Sequence, residues 1–247
     1  PILILAVYSF TDSPNIGAIH SFSFHNYVTL FTTPELIDMI IGSIALAIGS
    51  AVLATILGTT GAIGAFYSKK NVNGTMSVLN QIPVVNADVV TGFSLCILLV
   101  VVFGVSKNTY IPLIIGHTVL SAPFVYLAVV PKLKQMDPSL YEAALDLGAT
   151  PGYTLIHIII PQIASGIISG FVMAVTLSLD DYFVATYTKP ATFDTISTYV
   201  VNATKGSQTN IKTALWALST IIFLIVVIVE VVMNFAPIKN EAQKEKH

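Results

Sequence analysis

Apolar runs long enough to cross a bilayer alternate with short polar segments along most of the 247-residue chain. A helix needs about 20 apolar residues to cross roughly 30 Å of hydrocarbon. Runs with at most one charge occupy residues 39–67, 82–103, 109–130, 163–180 and 213–235. The first apolar segment, residues 1–10, is too short alone, and we expect it to be the outer end of a span that is truncated at the N-terminus. The pattern predicts an all-α integral membrane protein, a six-span bundle forming a single transmembrane domain over residues 1–247.

Composition agrees with a lipid bilayer as the surroundings. Hydrophobic residues make up 54% of the chain and charged residues 10%, and the mean hydropathy is +0.81. An ordinary soluble domain has about 25% charged residues. The basic residues are all lysines with no basic patch, which excludes nucleic acid as a partner. The single cysteine, Cys96, excludes an intrachain disulfide, and the histidines lack the spacing of metal ligands.

Lysines in the short loops predict the orientation, because such loops are richer in lysine on the cytoplasmic side. Cytoplasmic termini place seven lysines inside and four outside. This orientation puts the loop 131–162 in the cytoplasm and the loop 180–212 outside. The inner set is Lys69, Lys70, Lys132, Lys134, Lys239, Lys244 and Lys246, and the outer set is Lys107, Lys189, Lys205 and Lys212.

The loop between the fourth and fifth spans carries start and stop signals for short helices. Asp137 and Pro138 are typical of an N-cap followed by a first helical residue, and Gly148 falls where a left-handed residue would end the helix. Thr150 and Pro151 repeat the start signal. We therefore expect two short helices joined by a glycine corner, forming a surface on which a partner docks.

The first of these helices has two distinct faces. Leu140, Ala144 and Leu147 share one face, while Glu142 and Asp146 lie four residues apart on another. Carboxylates at that spacing repel each other by a few tenths of a kcal/mol, so a partner that supplies a cation would fit this face. A solvated acidic face on an ordinary loop helix is the alternative.

These residues carry a resemblance to a known family. The segment Glu142-Ala143-Ala144, then Gly148, and later Ile158, Ile160 and Pro161 resembles the EAA loop of permease subunits in type I bacterial ABC importers. A wider resemblance, over nearly the whole chain, is to permeases of spermidine/putrescine importers. It rests on Pro1-Ile2 with Tyr8-Ser9-Phe10, on residues 87–92, on residues 141–148 and on residues 178–181. Asn86-Ala87-Asp88 departs from the proline and acidic pair that the family more usually has in the third span.

The resemblance implies a complex in the bacterial cytoplasmic membrane. Two different permeases would assemble with two copies of an ATPase and an extracytoplasmic polyamine-binding protein. ATP and Mg²⁺ would bind only to the ATPase, and this chain, which has no glycine-rich phosphate loop, would be neither an enzyme nor a cofactor-binding subunit.

The resemblance also implies how the ATPase moves the spans. Glu142 and Gly148 would anchor the short helix in a groove of the ATPase, with Ala143 and Ala144 on the floor of that groove. Closure of the ATPase dimer would then move the helix as a rigid body and switch the spans between inward-open and outward-open states. Asp146 and Pro161 complete the predicted coupling set.

Acidic and aromatic residues near the spans suit a polyamine. Carboxylates replace the water that a polycation loses, and aromatic rings hold ammonium groups by cation–π attraction. Asp88 lies in the third predicted span, and Asp180 and Asp181 end the fifth, followed by Tyr182 and Tyr187. We expect these residues to line the substrate pathway. The alternatives are structural pairing of Asp88 with the other permease, and a plain helix end at Asp180-Asp181.

Three other functions fit less of the sequence. An ABC importer for another small solute would carry a similar coupling loop, although an importer of anions would more plausibly use lysines, and no lysine lies within the spans. An ion-coupled secondary transporter would not explain the segment 142–161. An intramembrane enzyme built on Asp180-Asp181 would need a second acidic cluster that the sequence lacks.

Overall fold

The computed structural model describes residues 2–11, 22–205, 214–225, 227, 228 and 231. These residues are mostly helical, and their only β contact is an isolated antiparallel bridge between Thr11 and Phe22. The prediction of an all-α fold is confirmed. The helices are α1 (Ile2–Ser9), α2 (His25–Thr32), α3 (Pro34–Phe66), α4 (Lys70–Val85), α5 (Asp88–Cys96), α6 (Ile111–Gln135), α7 (Ser139–Asp146), α8 (Pro151–Thr154), α9 (Ile160–Gln162), α10 (Ala164–Asp180), α11 (Phe183–Thr188), α12 (Ile196–Lys205) and α13 (Ala214–Ile225). Helix α5 continues into a π-helical segment, Ile97–Val102, and α8 into another, Leu155–Ile159.

The first of two compact units comprises residues 1–44 and 193–247. In this unit, the side-chain amide of Asn26 donates hydrogen bonds to the carbonyls of Ser9 and Thr11, at 3.0 and 2.9 Å. The hydroxyl of Ser43 on α3 accepts a hydrogen bond from the Ile196 N–H at 2.9 Å. Its core consists of Leu30, Leu36, Met39, Ile196, Ala214, Leu215, Ala217 and Leu218.

The second compact unit, residues 45–192, contains the rest of α3 and helices α4–α11. Small residues bring its helices together: a Cβ at Gly58 would lie 2.7 Å from the Ala122 carbonyl oxygen, and one at Gly170 would lie 3.0 Å from the Val125 Cα. Helix α6 therefore packs closely against both α3 and α10. The core of this unit consists of Ala51, Ala54, Ala62, Ala65, Val125, Tyr126, Val129, Leu133, Met136, Ile159, Ile163 and Ala174.

Two of the described helices, α3 and α6, are long and apolar enough to cross a membrane. The number rises to four if two bent pairs each count as one span. In one pair α4 meets α5 and its π-helical continuation at 102°, and in the other Pro151–Gln162 meets α10 at 72°. Part of the predicted last span, residues 213–235, lies outside the described residues, so the six-span count and the single domain stay predictions.

The structure corrects the third predicted span, residues 82–103, which is not one straight helix. Asn86 and Ala87 are both extended, with ψ of 145° and 135°, and they separate α4 from α5. The Asn86 side-chain amide donates a hydrogen bond to the Thr91 hydroxyl at 3.1 Å across this break. Pro83, one turn earlier, has no N–H to donate within α4. Asp88 is therefore the first residue of α5 and lies at a break in the third predicted span, not inside a continuous helix.

Candidate functional site

In the loop between α6 and α10, Asp137 and Thr150 make the side-chain bonds that the sequence predicts, although α7 begins at Ser139, one residue later than predicted. The Asp137 carboxylate accepts hydrogen bonds from the N–H and the hydroxyl of Ser139, at 2.9 and 2.7 Å. These bonds stabilise the charged carboxylate and lower the pKa of Asp137. The Thr150 hydroxyl accepts a bond from the Tyr153 N–H at 3.4 Å, which caps α8. Both helix starts therefore follow from local hydrogen bonding.

Helix α7 ends at the predicted glycine corner. Gly148 has φ +88°, in the left-handed region. Its N–H donates to the Leu145 carbonyl at 2.9 Å, and the Ala149 N–H donates to the Ala144 carbonyl at 3.0 Å. This pair of bonds is the Schellman arrangement, which satisfies the last carbonyls of a helix.

The exposed side chains of this loop differ in part from the prediction. Glu142, Ala143 and Asp146 are exposed, as docking on a partner requires. Ala144 is only 6% exposed and packs inside the chain, so it holds α7 in place and does not line a partner's groove. Leu147 is 89% exposed, because it lies beyond the end of α7 in the turn, and the predicted apolar face that included it is wrong.

Contacts at both ends of the loop connect α7 to the spans. The Tyr141 ring lies 5.0 Å from the ring of Tyr67, which directly follows α3. Helix α7 also packs on α8 and its π-helical continuation, and Pro161 is the second residue of the next helix, α9, just before the 72° bend into α10. Helix α7 is thus in contact with the residue that follows α3 and with the helical segment that leads to α10.

An acidic cavity of about 410 Å³ lies in the same compact unit. Two of its carboxylates, those of Asp88 and Asp180, are exposed, whereas Asp181 is 8% exposed. None of the described residues around the cavity is basic. The lining residues come from α4, α5, α6, α10 and the turn into α11, and they are Pro83, Val84, Asp88, Leu120, Phe124, Leu177, Asp180, Asp181, Tyr182 and Phe183.

Asp181 fixes the geometry of the turn between α10 and α11. One of its carboxylate oxygens accepts a hydrogen bond from the Val184 N–H at 3.2 Å, and the other accepts one from the Ala185 N–H at 2.7 Å. These bonds cap the N-terminus of α11, where a negative charge is stabilised. Helix α5 lies against the same turn, since a Cβ at Gly92 would be 2.8 Å from the Val184 Cα.

The structure brings together four of the five predicted pathway residues. Asp88, Asp180, Asp181 and Tyr182 line the cavity, although they come from different helices. Tyr187 is the exception, and its place in the substrate pathway stays a prediction. It is not among the lining residues, and its ring packs edge-on against Phe93 at 5.6 Å, because the turn of α11 directs it to α5.

Sequence reasoning missed a row of buried polar residues beside the cavity. His117 on α6 is fully buried, and its Nδ1 lies 2.7 Å from the Ser178 hydroxyl of α10. That hydroxyl lies 3.3 Å from the Ser50 hydroxyl of α3. Metal-ligand spacing is the only property of the histidines that the sequence pattern tests. The signal that could have found His117 is a titratable residue within an otherwise apolar span.

Comparison with known proteins identifies the class. Residues 28–236 match the family model of the binding-protein-dependent transport system inner membrane component. The chain therefore belongs to this family of transport permeases of the inner membrane, as the EAA-loop resemblance predicted.

Two relatives are polyamine permeases by name. The chain is 30% identical over 232 residues to the spermidine/putrescine transport system permease protein PotC of Haemophilus influenzae, covering 92% of this chain and 88% of that protein. It is 32% identical over 193 residues to the putrescine transport system permease protein PotI of Escherichia coli K12, covering 76% and 68% respectively.

Solved structures support the same fold. A bacterial ABC transporter that imports the acidic polysaccharide alginate matches with a TM-score of 0.69 and 18% identity, over 94% of this chain and 88% of that chain. An amino acid ABC transporter with histidines matches with a TM-score of 0.59 and 16% identity, over 85% and 95%. The chain thus has the fold of an ABC-importer permease.

Proposed function

We propose that this chain is the permease subunit that carries polyamines, such as spermidine and putrescine, through an ATP-driven importer. The acidic cavity is the observation that carries the proposal. Three carboxylates with no basic residue among the described lining favour a cation over an anion. Attraction between unit charges 4 Å apart amounts to about 4 kcal/mol at an effective dielectric constant near 20, enough to offset part of an ammonium group's dehydration.

Aromatic and apolar residues of the cavity suit the rest of a polyamine. Phe124, Tyr182 and Phe183 line it together with the carboxylates. Their ring faces attract ammonium groups, and their apolar surface suits the methylene segments between those groups. The names of the two relatives, permeases for spermidine/putrescine and for putrescine, agree with this substrate class.

The proposed energy source is a separate ATPase, present in two copies, which binds ATP and Mg²⁺. Glu142, Ala143, Asp146 and Gly148 would meet its groove, and Pro161 would transmit the displacement at the bend into α10. A second, homologous permease would complete the membrane part, and an extracytoplasmic binding protein would deliver the polyamine. The termini and the coupling loop would be cytoplasmic.

Uptake by the complete importer tests this function. The chain, its second permease, the ATPase and the binding protein would be reconstituted in vesicles and supplied with radiolabelled putrescine or spermidine. We expect ATP-dependent accumulation that a non-hydrolysable ATP analogue abolishes. Uptake of a different solute with none of either polyamine would refute the substrate class. Polyamine uptake by this chain without the ATPase would refute the mechanism.

A single cavity carboxylate can be tested in the same vesicles. In Asp180→Asn we expect the maximal uptake rate to fall about tenfold, because a hydrogen bond to a charged group contributes about 1.5–3 kcal/mol. The half-saturating concentration should change little, since the binding protein captures the solute first. Asp38→Asn is the matched control, because Asp38 is exposed on α3 and does not line the cavity. Equal rates in both variants would mean that Asp180 is only a helix end.

A further inference from the structure

The row of buried polar residues crosses three helices beside the acidic cavity. Ser50, Ser178 and His117 are 0%, 4% and 0% exposed. Buried polar groups in a span need hydrogen-bond partners, and this row supplies one on the Nδ1 side of the imidazole. His117 is therefore held in one orientation by Ser178, and Ser178 in turn lies within hydrogen-bonding distance of Ser50.

The other nitrogen of the imidazole faces the cavity turn. His117 Nε2 lies 3.6 Å from an Asp181 carboxylate oxygen, and the two side chains are 0% and 3% exposed. Hydrogen bonds of the N–H···O type span about 2.7–3.2 Å, so this contact is electrostatic. Among the described residues Nε2 has no hydrogen-bond partner. A buried polar atom without a partner is costly, which indicates a constraint beyond simple packing.

The negative charge on Asp181 determines which protonation state of the His117 imidazole is favourable in this contact. If Nδ1 alone carried a proton, the lone pair of Nε2 would face the carboxylate oxygen, and the two would repel each other. If Ser178 donates to Nδ1, Nε2 carries the proton and attracts the carboxylate. A doubly protonated ring presents the same N–H to Asp181. In either favourable state His117 directs a hydrogen at Asp181.

We propose that His117 is a positioning residue for the acidic cavity and acts through Asp181. Asp181 caps α11, and its chain neighbours Asp180 and Tyr182 line the cavity. Without the Nε2 hydrogen, the carboxylate loses an attraction at the oxygen that also accepts the Ala185 N–H, and the turn that carries both lining residues is less constrained. The consequence for transport rests on the proposed function. The geometric part does not depend on it.

Two substitutions separate the two sides of the imidazole. In His117→Gln the amide nitrogen takes the place of Nε2 and keeps a hydrogen directed at Asp181. In His117→Asn the amide takes the place of Nδ1 and keeps only the contact with Ser178. In the complete reconstituted importer, we expect the number of polyamines moved per ATP hydrolysed to fall at least fivefold in the Asn variant. It should stay within twofold of wild type in the Gln variant.

A purely structural role for His117 predicts a different result. Equal losses in the Asn and Gln variants, with ATP hydrolysis falling in parallel, would overturn the proposal. Ser121→Ala is the matched control, since Ser121 lies one turn away on α6, is fully buried and has a hydroxyl without a described partner. We expect it to behave as wild type. The double variant His117→Asn with Asp181→Asn should be no worse than Asp181→Asn alone, and additive losses would contradict the proposal.

A measurement that needs no solute distinguishes failure of this inference from failure of the proposed function. With Cys96 replaced by serine, Phe183→Cys provides one thiol in the cavity turn. We expect His117→Asn to raise its rate of modification by a small thiol reagent at least threefold, and His117→Gln to leave the rate within twofold. Unchanged rates in both would overturn the positioning role, even if polyamine uptake were normal. If the modification rates change as expected but the importer takes up no polyamine, only the proposed substrate class is refuted.

Discussion

The corner between α7 and α8 depends on one backbone torsion, the φ angle of Gly148. Its φ of +88° lies in the left-handed region, and a Cβ there would meet nothing within 4 Å. A substitution would therefore act through the torsion and not through a clash. An L-residue with a Cβ pays about 1–2 kcal/mol in this region, whereas asparagine visits it more readily.

We expect Gly148→Ala to loosen the corner between α7 and α8 and to lower ATP-driven uptake severalfold. Limited proteolysis of the loop should be faster than in wild type, while Gly148→Asn should resemble wild type. Gly152→Ala is the matched control, because Gly152 also has open space around it but a negative φ within α8. If the two alanine variants were cleaved at the same rate and supported the same rate of uptake, the left-handed corner would have no role in coupling.

Helix α7 is anchored on one side and exposed on the other. Ala144 is buried in the chain, while Glu142 is exposed. A change at Glu142 should therefore affect a partner without disturbing the fold. We expect Glu142→Lys to lower uptake by about tenfold or more, and Glu142→Gln to have an intermediate effect, because charge reversal repels a cationic groove while neutralisation only removes an attraction.

The control for Glu142→Lys is a check that the substituted protein keeps its fold and its thermal stability. Detergent-solubilised Glu142→Lys should elute as wild type and keep its thermal denaturation midpoint, while ATP hydrolysis by the complex no longer depends on loaded binding protein. Wild-type uptake in the lysine variant would remove the coupling role of Glu142. A lowered midpoint would instead indicate that Glu142 stabilises α7.

Elements set by local interactions could be predicted from the sequence, and those set by distant contacts could not. The caps at Asp137 and Thr150 and the corner at Gly148 involve bonds within a few residues, so their side chains alone indicated them. The break at Asn86 was missed because apolar residues continue on both sides of it, and hydrophobicity does not record a change in backbone direction.

The candidate site divides in the same way. The acidic residues of the cavity were recognised by their charge in apolar surroundings. Their meeting with Phe124 of α6 could not be predicted, because it depends on how helices far apart in the chain pack. The role proposed for His117 depends on its 3.6 Å contact with Asp181, which lies 64 positions further along the chain.

At the scale of the whole molecule, the contact between the loop that carries α7 and the C-terminal end of α3 constrains the topology independently of the lysine count. The rings of Tyr67 and Tyr141 lie 5.0 Å apart, so the end of α3 and helix α7 share one side of the membrane. An ATPase that docks on α7 requires that side to be the cytoplasm. Lys69 follows Tyr67 by two residues and is exposed, so it reports which side this is.

With Cys96 replaced by serine, we expect Lys69→Cys to react with a membrane-impermeant thiol reagent only in inside-out vesicles. Lys107→Cys, exposed in the turn before α6, should react only in right-side-out vesicles, because α6 separates that turn from α7. Labelling of both positions from one side would mean that α6 does not cross the membrane. Labelling of Lys69→Cys from outside alone would place α7 on the side of the membrane that lacks ATP. Since the ring contact fixes α7 beside Lys69, that result would remove the coupling mechanism together with the orientation.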